Sequence, residues 1–120
     1  MHIYEALLSL HPTASFVING EEYSDLNRMD ESITKPTEAA INEEITKLTA
    51  AEPMRRLRVE RNRRLAETDW WAVSDITISD ERKNYRQALR DLPSTQTPEN
   101  DDDGAYGLKA STVTWPTKPA

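Results

Sequence analysis

Imidazole is the most versatile catalytic group a protein has, and this chain has two, His2 and His11. Nine positions separate them, which puts them on opposite faces of any helix instead of the shared face that an i, i+4 metal pair requires. Cysteine is absent, which excludes a thiolate nucleophile, a thiolate metal site and disulfides, and allows a reducing compartment. No Gly-x-Ser-x-Gly elbow, phosphate-binding loop or dinucleotide glycine pattern occurs. The acidic run near Gly104 resembles a calcium loop in part: Glu99, Asp101 and Asp103 take the first, third and fifth positions, but Ala110 stands twelfth, where a bidentate carboxylate is needed. The expectation is no enzyme, no cofactor and no metal.

The densest chemistry lies in Met54 to Trp71, with six of the fifteen basic residues and two of the three tryptophans. On a helical wheel Arg55, Arg56 and Arg63 fall within about a quarter of the circumference, while Arg58, Arg61 and Arg64 spread over the rest. That is not one phosphate-binding face. Met54, Leu57 and Leu65 mark an apolar stripe with Arg61 in its middle. A guanidinium there requires a partner, because burying it unpaired costs several kcal/mol. Asp69 or Asp91 is a candidate carboxylate and a backbone carbonyl an alternative. Three readings of Arg61 stay open: a paired helix-packing arginine, an arginine reserved for a protein partner, and a phosphate contact. Trp70 and Trp71 are adjacent, so an extended segment sends them opposite ways, one into the core and one to the rim; the sequence does not choose between the rings.

The elements that must hold these residues read as an α+β domain. Its parts are a small N-terminal β-hairpin region, two or three amphipathic helices, and an irregular C-terminal segment with a short terminal strand. Ile3, Ala6, Leu7 and Leu10 give a first helix ending at His11-Pro12. Residues 14–18 and 22–26 read as strands around Asn19-Gly20, with a third extended piece over 27–33. Thr37 caps a helix whose stripe is Ile41, Ile45 and Leu48; Pro53 reads as the start of a second segment running to about Glu67. Ser79 caps another helix, with Tyr85, Ala88, Leu89 and Leu92 inward and Pro93 as its stop. Residues 94–107 read as a mobile polar linker and Val113-Thr114-Trp115 as a last strand. The divisions are 1–36, 37–93 and 94–120, as one compact domain plus tail.

A net charge of -6 argues against nucleic acid as the partner. With 37% hydrophobic and 30% charged residues the core must be thin, and no stretch approaches the length of a membrane span or reads as a signal peptide.

Three stretches, in order, carry a family resemblance. Arg61-Asn62-Arg63-Arg64-Leu65-Ala66-Glu67-Thr68-Asp69-Trp70, Tyr85-Arg86-Gln87-Ala88-Leu89-Arg90-Asp91-Leu92 and Val113-Thr114-Trp115-Pro116-Thr117-Lys118-Pro119 resemble the R-D…L-L…T-D-W, Y-R-Q-A-L-R-D and W-P-x-K-P signatures of bacteriophage tail assembly chaperones, a family similar to phage tail-fibre assembly proteins. Asn62 stands where the family usually has an acid, Trp71 where a polar residue is common, and an acidic linker replaces an F-P element. The resemblance implies binding to a phage tail or tail-fibre protein, in the host cytoplasm during assembly. Trp70, Trp71, Val113, Trp115 and Pro116 are the candidate partner contacts, and Arg61, Asp69, Tyr85 and Asp91 the structural pairing residues. The terminal Val113-Thr114-Trp115 strand is the candidate for adding to a partner's sheet edge. A permanent place in the virion tail, as part of an oligomeric assembly, is the alternative; a small nucleic-acid-associated regulator is a third.

Overall fold

Residues 3–29 and 33–120 are described by a computed structural model, and among them three α-helices and one antiparallel strand pair form. Helix α1, Ile3–Leu10, buries Ile3, Ala6 and Leu7 and closes with a bond from the His11 N–H to the Leu7 carbonyl, 2.9 Å, just before Pro12. Strands β1, Phe16–Ile18, and β2, Leu26–Met29, pair with Phe16 opposite Met29 and Ile18 opposite Leu26, with a register shift between Val17 and Ile18. The return strand therefore starts later than 22–26. A single 3-10 turn, Tyr23–Asp25, intervenes, because the Asp25 carboxylate accepts the Glu22 N–H at 3.1 Å and draws the chain into a turn. A Cβ at Gly20 would collide with that carboxylate, so a larger residue there would displace the Asp25 side chain from the Glu22 N–H. The third extended piece expected over 27–33 is taken up at its start by β2, and its middle lies outside the described residues, as does His2.

Helix α2, Glu38–Glu67, starts as expected: the Thr37 hydroxyl accepts the Ala40 N–H at 3.1 Å. It does not restart at Pro53. The helix runs through the proline for its full 30 residues, losing the one backbone bond that Pro53 cannot donate. The chain divides into two compact units within this helix, one up to Ala51 and one of Glu52–Ala120. The first has its core in Ile3, Ala6, Leu7, Leu26 and Ile41, with Phe16, Tyr23 and Ile45 packed around them.

In the second unit α2 leads through the buried Thr68 into a 3-10 turn, Asp69–Ala72. Helix α3, Asp80–Thr95, is capped by the Ser79 hydroxyl and buries Tyr85, Arg86, Leu89 and Leu92. It continues past Pro93, where the sequence suggests a stop, because the Ser94 and Thr95 hydroxyls bond the Asp91 and Leu92 carbonyls at 2.7 and 3.1 Å and sustain the last turn. Residues 96–120 form a folded loop in place of a mobile linker. The Asp101 N–H reaches the Gly107 carbonyl at 2.9 Å, and Asn100 bridges Leu108. Tyr106 and Gly107 take positive φ of 60° and 73° to make this turn. Val113-Thr114-Trp115 runs extended but joins no strand among the described residues; the Thr114 N–H goes to the Gln96 side chain at 3.0 Å. Two adjoining clusters fill the unit. Leu57, Leu92, Leu108 and Val113 form one; Trp71, Tyr85 and Leu89 form the other, and Trp115 touches both.

Candidate functional site

The last turn of α2 leaves carbonyls without helical donors, and the negative end of a helix favours a cation. Arg86 fills that position. Only 9% exposed, it donates to the Leu65 carbonyl at 2.9 Å, the Thr68 hydroxyl at 2.7 Å and the Asp69 carboxylate at 2.8 Å. Thr68 is wholly buried, and its own hydroxyl turns back on the Arg64 and Leu65 carbonyls, both at 3.3 Å. This clamp fixes the exit of α2 onto α3.

Arg61, placed by the sequence in the apolar stripe, is half-buried and bonds the Arg90 carbonyl at 3.3 Å and the Asn62 side chain at 2.8 Å. Neither candidate carboxylate reaches it: Asp69 takes Arg86, and Asp91 accepts from Gln87 at 3.0 Å. The buried arginine that sequence reasoning missed is Arg86. Its signal was present, since it lies three residues before Leu89 on the inward face of α3.

The face that α2 buries contains the expected stripe, with Leu57 in the core and Met54 and Leu65 packed against the two clusters, and is wider than it. It runs through Leu57, Glu60, Arg64 and Thr68, and Glu60 is just 5% exposed. Glu60 sits between Arg63 and Arg64, and hydrogen bonding, from Arg63 above all, holds its carboxyl below the usual range. The Arg55 guanidinium holds the Glu52 carboxyl down at about 2, with help from Arg56 against the opposing effect of burial. Arg56 also donates to Asp102 at 3.0 Å and to the Gly107 carbonyl at 2.8 Å, which ties the acidic loop to α2. Glu67 is lowered first by Lys118, at 2.8 Å, and then by Arg63. Arg64 lies over the Trp115 ring, 4.2 Å from its centroid, and near Tyr106, 5.6 Å. Arg58 and Arg61 have no carboxylate partner among the described residues.

The two neighbouring tryptophans part company. Trp71 is 2% exposed and packs on Tyr85, ring centroids 6.0 Å apart, under the Arg82 guanidinium; Trp70 is 54% exposed. Val73 and Ile76, in the loop that follows, are exposed apolar residues too. Val113 is a core residue and Trp115 is half-buried, so neither stands free as an edge strand would. Pro116 and Trp115 form one side of a groove of about 400 Å³, with Ala88, Leu92 and Thr95 of α3 opposite. A second hollow of about 410 Å³ lies between Ala72, Ile78 and the Lys83 to Arg90 stretch of α3. Among the described residues no three His, Asp or Glu side chains gather to hold a metal ion, and no helix is long and apolar enough to cross a membrane. In the acidic run that resembles a calcium loop in part, the Asp101 carboxylate accepts the Asp103 N–H, Glu99 lies within 3.9 Å of Lys109, and the intervening Asp102 pairs with Arg56.

The three sequence signatures thus meet at one place. Thr68-Asp69 receives Arg86 of the second signature, while Trp115 and Lys118 of the third reach back to Arg64 and Glu67. No curated protein and no solved structure matches the chain. A family model described as phage tail assembly chaperone protein matches residues 54–120.

Proposed function

The chain belongs to the phage tail assembly chaperone family, and from that premise we propose that it binds a phage tail or tail-fibre protein in the host cytoplasm and holds it during assembly. The contact is built on the exposed Trp70, with Val73 and Ile76 beside it. One observation carries this reading: Trp70 keeps 54% of its surface exposed, while its neighbour Trp71 anchors the same turn in the core. An amphipathic aromatic ring on a turn held by the Arg86 clamp loses little freedom when a partner covers it, which favours its use as a hot spot. Trp71 and Val113 act from beneath, by positioning the surface. Trp115 and Pro116 offer the partner the groove along α3 as a second foothold.

Co-expression with the tail and fibre proteins, followed by capture, tests this reading. Trp70→Ala should reduce capture by roughly thirtyfold, the effect of losing a hot spot of about 2 kcal/mol, with the circular dichroism of the chain unchanged. Capture at the level of the unmodified chain would rule the Trp70 surface out. Deleting residues 111–120 would remove Val113 and Trp115 from the core, so point changes at Pro116 are the better probe of the terminal segment. Mass spectrometry of purified particles separates a chaperone that departs from a permanent tail component, by absence or by stoichiometric presence.

A further inference from the structure

The six arginines of α2 are not equivalent. Arg55, Arg56, Arg63 and Arg64 all reach carboxylates of their own chain, whereas Arg58 and Arg61 reach none among the described residues. Arg61 leans on the Arg90 carbonyl of α3 at 3.3 Å. Arg90 belongs to the hollow of about 410 Å³, where Lys83, Gln87 and Arg90 recur at i, i+4 and i+7 on one face of α3 and Ala72 and Ile78 form an apolar wall. Among the described residues no carboxylate lines this hollow. Arg86 at its base is fully engaged by Asp69, Thr68 and Leu65. Arg90 bonds only the uncharged Gln87 side chain, at 3.1 Å, and the Lys83 ammonium has no partner among the described residues.

In a chain of net charge -6, cations left without carboxylates beside an apolar wall are the complement of a ligand carrying carboxylates and one apolar group. The geometry points to this hollow as the seat of an acidic segment of the tail protein, an extended Asp- and Glu-bearing stretch with one aliphatic or aromatic side chain. The apolar side chain enters against Ile78 and Ala72, and the flanking carboxylates meet Lys83 and Arg90. Trp70, two positions before Ala72, places this seat beside the apolar contact, and the inference rests on the chaperone reading. Nucleic acid fits less well, because the apolar wall of Ala72 and Ile78 has nothing to offer a phosphate.

The test is fluorescence anisotropy of the full chain with a short labelled peptide of alternating glutamate and leucine. A lysine–leucine peptide and a single-stranded oligodeoxynucleotide serve as comparators. The acidic peptide should bind, more weakly at high salt, and the double variant Lys83→Glu with Arg90→Glu should weaken it by roughly tenfold or more. Arg55→Glu, which alters a guanidinium already paired with Glu52, should leave it within about twofold. Lys83→Gln with Arg90→Gln serves if the reversal disturbs folding. Equal affinity in the double variant, or an oligonucleotide bound as tightly as the peptide, overturns the assignment. Capture of the tail protein separates the two levels of the proposal: if Trp70→Ala loses capture and the Lys83/Arg90 variants keep it, the acidic seat is wrong and the chaperone surface stands. If neither loses it, that surface is wrong as well.

Discussion

Replacing Arg86 with methionine keeps an unbranched apolar stem and removes the guanidinium from the end of α2. Three bonds go with it, and their partners do not lose equally. The Asp69 side chain is 66% exposed and recovers water, so its share is about 0–1 kcal/mol. The Thr68 hydroxyl is wholly buried and the Leu65 carbonyl lies beside it; each loses a charged donor that water cannot readily replace, at about 1–1.5 kcal/mol apiece. The sum is about 3 kcal/mol. In a unit of this size that corresponds to a melting temperature lower by on the order of 15 °C. Trp70, Trp71 and Trp115 all belong to the Glu52–Ala120 unit, so tryptophan fluorescence in urea reports this unit alone. Asp69→Asn is the companion measurement and should cost no more than about 1 kcal/mol. An Arg86→Met cost below about 1 kcal/mol, or an Asp69→Asn cost equal to it, would refute the assignment of the energy to the buried acceptors.

Acid should weaken the same unit. Glu52 is held down to about 2 from 4.5, and Glu60 and Glu67 are lowered as well, so the stability they contribute is complete above 4.5 and is lost as pH falls from there toward about 2. A urea midpoint that stays constant across that window would contradict the pairing. Gly107→Ala forces a side chain into a φ of 73° against the Arg56 guanidinium and should cost about 1–2 kcal/mol, read by the same fluorescence; a neutral result would mean the loop relaxes freely. Pro53→Ala restores the missing helical bond in α2 and should raise stability by about 1 kcal/mol in circular-dichroism melts, and a loss instead would show that the proline ring packs usefully.

Local chemistry was legible. Thr37 and Ser79 cap the helices they were expected to cap, and the inward residues of α1 and α3 follow the apolar spacing, except that Ala88, expected inward, is exposed and Arg86 is buried instead; caps and stripes are written within a few residues of their effect. Proline was over-read. Pro53 and Pro93 each remove one donor, but burial of Leu57 beyond Pro53 outweighs one bond, and beyond Pro93 the Ser94 and Thr95 hydroxyls sustain the last turn. The Met54, Leu57 and Leu65 stripe of α2 packs as read, but the widening of that face to Glu60 and Arg64 could not be read from its own wheel: Glu60 is bonded by Arg63, and Arg64 is held by Tyr106 and Trp115 of the C-terminal loop. The same distance hid the order of the acidic loop, whose hold is Arg56 to Asp102, 46 positions apart. At the site, the exposed ring was undecided in sequence because Trp70 and Trp71 differ in which one Tyr85 covers, while Arg82 lies over both rings.

The pairing of those two indoles has an optical consequence. Their centroids are 6.2 Å apart with planes at 73°, close enough and far enough from parallel for their excited states to couple into a split near-ultraviolet signal of fixed sign. One member is locked under Tyr85 and Arg82 while the other faces solvent. Because coupled states are shared by both rings, a molecule that settles on Trp70 alters the whole split signal, so the protein reports its own occupancy without a label.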